Sequence, residues 1–126
     1  MITVFTPTYN RAYIIRKLYK ALCGQINKNF EWLVVDDGST DNTEFLIKDF
    51  VAENKIKIKY IRQQNGGKHI AINTGVAAAS GDLFFIVDSD DYLTPDAIEW
   101  MDSEWNRIKD NKLVFQEFVF IRMELK

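Results

Sequence analysis

Leu83 to Val87 is a short apolar run, introduced by Gly81-Asp82, that ends in three carboxylates within four residues, Asp88, Asp90 and Asp91. An unbroken apolar run of this length fits a strand buried on both faces, as in a parallel sheet covered by helices. Three acids at the end of such a strand repel one another unless a cation or cationic neighbours lie between them. Hard oxygen donors of this kind suit Mg²⁺ or Mn²⁺, which bind one or two carboxylates together with substrate phosphates. The competing reading is a solvated loop whose acids only start the next helix.

The remaining sequence alternates strand-like and helix-like segments. Ile2 to Thr6 is a β-rich run broken by Pro7, and Asn10 is a candidate N-cap for a helix with Ile14, Ile15, Leu18, Tyr19 and Leu22 on one face. Phe30 to Val35 reads as a second strand, ending at Asp36-Asp37-Gly38-Ser39. Asp41 and Glu44 have capping-box spacing before a helix whose buried side is Phe45, Leu46, Phe50 and Val51. Ile56 to Ile61 alternates apolar and polar residues, as an edge strand does. Gln64-Asn65-Gly66-Gly67-Lys68 precedes an alanine-rich helix from about His69 to Ala79, whose small residues allow close approach to the sheet. Thr94-Pro95-Asp96 supplies an N-cap, a first-turn proline and a first-turn acid for a helix with Ile98, Met101, Trp105 and Ile108 inward. Leu113 to Leu125 is a final extended run, apolar on both faces.

Strands alternating with helices predict an α/β fold, a mainly parallel central sheet flanked by helices, in one domain over residues 1–126. The 126 residues, 47% hydrophobic, suffice for a core without disulfides, and the single Cys23 excludes an internal one and fits a reducing compartment. A net charge of −2 gives no footprint for nucleic acid. No apolar run reaches membrane-spanning length and no signal peptide precedes the first strand, so the expected location is cytoplasmic, with association to the cytoplasmic face of a membrane through other parts or partners.

Ligands of such sheets collect beyond the carboxyl ends of the strands, where helix N-termini also point. Three strand ends carry polar clusters here: Thr8-Tyr9-Asn10, Asp36-Asp37, and Asp88 to Asp91. Of Asp36 and Asp37, one is expected to face the crevice and the other to cap the turn. A crevice carboxylate accepts hydrogen bonds from a base N–H or a ribose hydroxyl, and Tyr9 offers a face for stacking, although a lone tyrosine is more often a core aromatic. Gly66-Gly67-Lys68 lacks Walker spacing, but Lys68 is within reach of a phosphate at the following helix N-terminus. His69 has no nucleophile partner in a known motif and reads as structural or peripheral.

Taken together, Pro7-Thr8-Tyr9-Asn10-Arg11, Val34 to Asp41, Asn65-Gly66-Gly67-Lys68, Ala71-x-Asn73-x-Gly75 and Asp88-Ser89-Asp90-Asp91 closely resemble family 2 glycosyltransferases of the GT-A fold, from residue 2 to about residue 109. The resemblance implies a Rossmann-like nucleotide-binding fold, a nucleotide-sugar donor, usually UDP-linked, and a divalent metal, Mn²⁺ or Mg²⁺. It places Pro7, Tyr9, Asn10, Asp36, Asp37, Lys68 and Asp88 at the nucleotide, with Tyr9 stacking on the base and Asp37 bonding its edge. It places Asp90, Asp88 and Asp91 at the metal, Asp90 foremost. It implies direct displacement with inversion by an acceptor hydroxyl, on a saccharide or lipid-linked acceptor, assisted by a carboxylate base.

The family's base belongs to a later acceptor-binding half, so the chain reads as an incomplete donor-binding portion with no assignable catalytic residue; among Glu99, Asp102 and Glu104, Asp102 is the least poor substitute. Residues 113–125 are then expected to pair with another copy or to sit exposed as an association patch. Two other readings stand beside this one: a nucleotide-sugar and metal-binding module without turnover, and a receiver- or phosphatase-type α/β domain. The last places its key acids at the end of the first strand, where this chain has Thr6-Pro7-Thr8-Tyr9.

Overall fold

A computed structural model of the chain describes residues 1–109 and the strand residues 119–121. The elements run β1 (Ile2–Thr8), α1 (Ile15–Cys23), β2 (Phe30–Asp36), α2 (Thr43–Glu53), β3 (Lys57–Arg62), α3 (Lys68–Ala78), β4 (Leu83–Ile86), α4 (Ala97–Ile108) and β5 (Val119–Ile121). The five strands form one sheet in the order β3-β2-β1-β4-β5. Every neighbouring pair is parallel. The order reverses beside β1: β2 and β3 lie on one side and β4 on the other, so a crevice opens at that switch between the ends of β1 and β4.

The sequence explains which strand goes where. All seven residues of β2 are buried, as the apolar stretch Trp32 to Val35 requires of an inner strand. β3 alternates lysines with apolar residues, takes the edge, and is the least buried of β1 to β4. One face of the sheet is covered by α1, α2 and α4, which pack Leu18, Leu22, Phe50 and Met101 against Val4, Trp32 and Phe85. The other face carries α3 over Phe5, Leu33, Val35 and Phe84. A fully buried ring such as Trp32 or Phe5 stabilises the fold by roughly 1.5–3 kcal/mol. Helix α3 lies unusually close: a β-carbon built on Gly75 would sit 2.4 Å from Cε1 of Phe5. That proximity accounts for the small residues along this helix.

Local starts differ from expectation in three places. Asn10 is not the N-cap of α1; it takes a left-handed conformation (φ 53°), and the helix begins at Ile15 without a side-chain cap. Its Oδ1 instead accepts the Thr40 and Asp41 backbone N–H groups at 2.8 and 3.3 Å, stitching the loop after β1 to the loop after β2. No capping box forms at α2: Asp41 accepts the Thr43 N–H at 3.0 Å and the Ala12 N–H at 3.1 Å, while Glu44 faces Lys48 and Arg62. For α4, Thr94 is not the cap; Gln25 Oε1, from the loop after α1, accepts the Ile98 N–H at 3.1 Å. The buried side of α2 is Thr43, Ile47 and Phe50, whereas Phe45 and Val51 are exposed. Five large apolar residues in that helix, Phe45, Leu46, Ile47, Phe50 and Val51, allow two faces, and packing against the sheet selects the Ile47–Phe50 one.

Of the extended run Leu113 to Leu125, only Val119–Ile121 falls within the described residues, paired in parallel with β4. The association expected of residues 113–125 lies outside them. Among the described residues, no helix is long and apolar enough to cross a membrane.

Candidate functional site

At the strand-order switch lies an open cleft of about 490 Å³, within the usual size of small-molecule sites. Its walls come from four segments: Pro7 to Arg11 at the end of β1 and just beyond it, Asp37 after β2, Lys68 and Ala71 on α3, and Asp88 to Asp90 after β4. Residues up to 83 positions apart in sequence therefore share one rim, because parallel strands deliver all their carboxyl ends to the same side.

The two acids after β2 divide their work. Asp36 is fully buried and lies outside the cleft; it accepts the Ser39 N–H at 2.9 Å and the Tyr60 hydroxyl at 2.5 Å. Burial and the facing Asp36 raise the Tyr60 pKa. Asp37 lines the cleft and grips the glycine loop: Oδ1 accepts from Gln63 Nε2 (2.9 Å) and Gly66 N (2.8 Å), and Oδ2 from Gly67 N (3.0 Å). Burial alone would raise this carboxyl's pKa; the three hydrogen bonds outweigh it and hold the group below the ordinary aspartate range. Gly67 takes φ 97°, a conformation open to glycine and strained for side-chain-bearing residues, so the loop turns directly into α3.

Lys68, first in α3, reaches across the cleft to Asp88, with Nζ 3.1 Å from Oδ1. Asp91 lies outside the cleft lining; its Oδ2 accepts the Asp88 N–H at 2.9 Å while its own N–H donates to the Asp88 carbonyl at 3.0 Å, closing the turn. Asp90 is exposed and lines the cleft, with no hydrogen bond or ion pair among the described residues. Tyr9 is 44% exposed at the same rim, so its ring is available to a planar partner. Pro7 and Asn10 also line the cleft, Asn10 with its side chain already committed to Thr40 and Asp41.

Sequence reasoning attached no role to Thr8, Arg11, Ala71 or Ser89, all of which line the cleft. Each sits inside a run already singled out, which was the only signal available. Among the described residues Thr8 Oγ1 is buried without a hydrogen-bond partner, and Arg11 is a second cationic residue in the cleft lining. His69 is exposed on α3 and is not part of the lining. Asp102 is also elsewhere, accepting from Asn27 Nδ2 at 3.2 Å.

A divalent cation can be tested against this donor set. Among the described residues, no three His, Cys, Asp or Glu side chains are grouped to hold a metal ion by themselves. Asp88 and Asp90 do line one open cleft, and two carboxylates completed by phosphate oxygens are a normal Mg²⁺ or Mn²⁺ environment. The residues fit a cation shared with a phosphorylated ligand, not a closed protein cage.

The comparisons with known proteins agree with this architecture. The family model for glycosyl transferase family 2 matches residues 3–122. Over 98 residues the chain is 42% identical to glycosyltransferase GlyA of Streptococcus pneumoniae serotype 4, covering 78% of this chain and 14% of that protein. S. aureus TarS 1–349 in complex with UDP-GlcNAc superposes with a TM-score of 0.80 at 28% identity, covering 91% of this chain and 37% of that one. Mannosyltransferase PcManGT from Pyrobaculum calidifontis, in complex with GDP-Man and Mn²⁺, gives a TM-score of 0.72 at 28% identity, covering 75% of this chain and 29% of that one. The chain thus spans between 14% and 37% of the length of these three. Its parallel sheet flanked by helices is the GT-A fold. With the match running along nearly all of its length, the chain belongs to glycosyl transferase family 2.

Proposed function

We propose that the cleft binds the nucleotide diphosphate of an activated sugar, UDP-linked, and that the protein transfers the sugar to an acceptor hydroxyl on a saccharide or lipid-linked acceptor, with inversion. The observation that carries the reading is the meeting of an open aromatic ring, Tyr9, with Lys68, Asp88 and Asp90 at one switch-point cleft. TarS and PcManGT, which share the fold, support it through the nucleotide sugars in their complexes.

In this reading the base stacks on Tyr9, and Asp37, with three of its roughly four acceptor sites engaged by the loop, offers the remaining one to a base N–H. The Lys68 ammonium faces the diphosphate, whose β-phosphate oxygen leaves with the electron pair of the C1–O bond as the acceptor oxygen bonds C1 and its proton passes to a carboxylate base, a part none of the described cleft carboxylates is left to play. A divalent cation, Mn²⁺ or Mg²⁺, would be held by Asp90 and Asp88, and when bound it supplies charge neutralisation to the leaving group.

A thermal-shift panel of UDP-, GDP- and dTDP-sugars, each with and without Mn²⁺, tests the proposal. A ligand that binds only the folded state at a hundred times its Kd adds about 2.7 kcal/mol of stability. UDP-sugar with Mn²⁺ is expected to raise Tm by several degrees; a flat response to every donor rejects the reading.

One observation favours a second reading, binding without turnover. Among the described residues, two of the three cleft carboxylates are engaged, Asp37 with the loop and Asp88 with Lys68, and the proposal above gives the third, Asp90, to the cation. That leaves no carboxylate to take the acceptor's proton. Metal-dependent hydrolysis or transfer of the donor by the purified chain would remove this second reading.

A further inference from the structure

We propose that Lys68 occupies the cation's electrostatic place until a nucleotide diphosphate arrives, so that the nucleotide strengthens cation binding. The inference rests on the donor-site reading above and adds an order of assembly to it.

Three observations lead there. First, the Lys68 ammonium lies 3.1 Å from Asp88 Oδ1, one of the two carboxylates that would hold the cation. Second, the acid turn is closed by bonds that do not involve Lys68: Asp91 Oδ2 accepts the Asp88 N–H and the Asp91 N–H donates to the Asp88 carbonyl. The Asp88 backbone is thus held by its own turn and not by the lysine. Third, the Lys68 backbone is anchored just upstream, where Gly66 and Gly67 donate to Asp37, while its side chain is 55% exposed and free to swing on a four-carbon stem.

An exposed pair of this kind is weak and readily exchanged. A cation arriving alone meets an ammonium already on its ligand, and either displaces it into solvent or shares the carboxylate with a like charge. A diphosphate changes that balance, since it offers the ammonium new anionic oxygens and leaves Asp88 beside Asp90 for the cation. Nucleotide and cation then favour each other's binding, and by linkage the coupling is reciprocal. Asp90 carries no such partner among the described residues, so the competition acts on Asp88 alone.

The test measures Mn²⁺ binding by electron paramagnetic resonance, with and without UDP, on the full chain and on Lys68→Met and Lys68→Arg. The site is on the surface, and melting curves check that each variant folds. The expected result is that Lys68→Met binds Mn²⁺ alone about two- to fivefold more tightly than wild type, binds UDP more weakly, and shows reduced coupling between the two. Lys68→Arg, which keeps the charge, is expected to follow wild type. If wild type binds Mn²⁺ with UDP but Lys68→Met shows no tighter Mn²⁺ binding without it, the competition is overturned and the donor-site reading stands. Equal tightening in Lys68→Arg also overturns it. If wild type binds neither UDP nor Mn²⁺, both readings fall together.

Discussion

Asp37 Oδ2 accepts the backbone N–H of Gly67 at 3.0 Å, and this bond fixes the start of the helix that carries Lys68 into the cleft. The same carboxylate takes Gly66 and Gln63, so one buried acid shapes a loop 29 residues further along the chain. Replacing it with alanine leaves three donors without their acceptor, at a cost on the order of 2 kcal/mol. The urea midpoint of Asp37→Ala should fall accordingly, and UDP affinity should fall with it because Lys68 is no longer held.

The same group predicts an acid response. The Asp37 carboxyl is held below its ordinary range in the fold, so between the folded and unfolded pKa values the unfolded chain binds more protons. Its stabilisation is present above the ordinary aspartate value, about 3.9, and is lost as pH falls through the folded value. Urea midpoints measured from pH 6 down to pH 2.5 should drop less steeply for Asp37→Asn than for wild type. Parallel curves would show that the loop bonds do not depend on the charge.

Gly75 predicts a packing failure. A methyl group there meets Phe5 Cε1 at 2.4 Å and Cδ1 at 2.6 Å, and that ring is fully buried and stacked on Phe84 at 5.0 Å. Both rings are fully buried, so any retreat must displace other core side chains, and Gly75→Ala should destabilise by about 1–3 kcal/mol despite alanine's better helix propensity. Calorimetric melting checks the sign: a higher Tm would mean that α3 lifts from the sheet without cost.

Gln25 predicts a long-range capping effect. Its amide donates to Ala21 O at 3.0 Å and Thr94 O at 2.8 Å and accepts from Ile98 N at 3.1 Å, joining α1 to the start of α4. Gln25→Ala should cost about 2 kcal/mol, and hydrogen exchange should quicken first at Ile98. Unchanged exchange there would assign the cap to another group.

The fold was legible because apolar runs and turn residues are local. The buried strand at Leu83 and the alternation around Tyr60 each reported their own position, and the strand–helix alternation gave the parallel sheet. The helix starts were not legible for the complementary reason. Ile98 is capped from 73 residues away, and Asn10 spends its carbonyl oxygen on a loop 30 residues on. Such partners have no local spacing. The site followed the same division: its acids, Tyr9 and Lys68 stood out at segment ends, and the resemblance already set Asp37 and Asp90 foremost, whereas three-dimensional geometry was needed to show Asp36 bonded to Ser39 and Tyr60 and Asp91 closing its own turn, both outside the cleft lining.

The most direct test is calorimetric titration of UDP into wild type and Asp90→Ala, each with Mn²⁺ and with chelator. Wild type is expected to bind UDP at least about tenfold more tightly with Mn²⁺, a coupling of about 1.4 kcal/mol, and Asp90→Ala to lose that gain. Equal UDP affinity in all four titrations, or no binding in any, would contradict a nucleotide diphosphate held through a cation at Asp90.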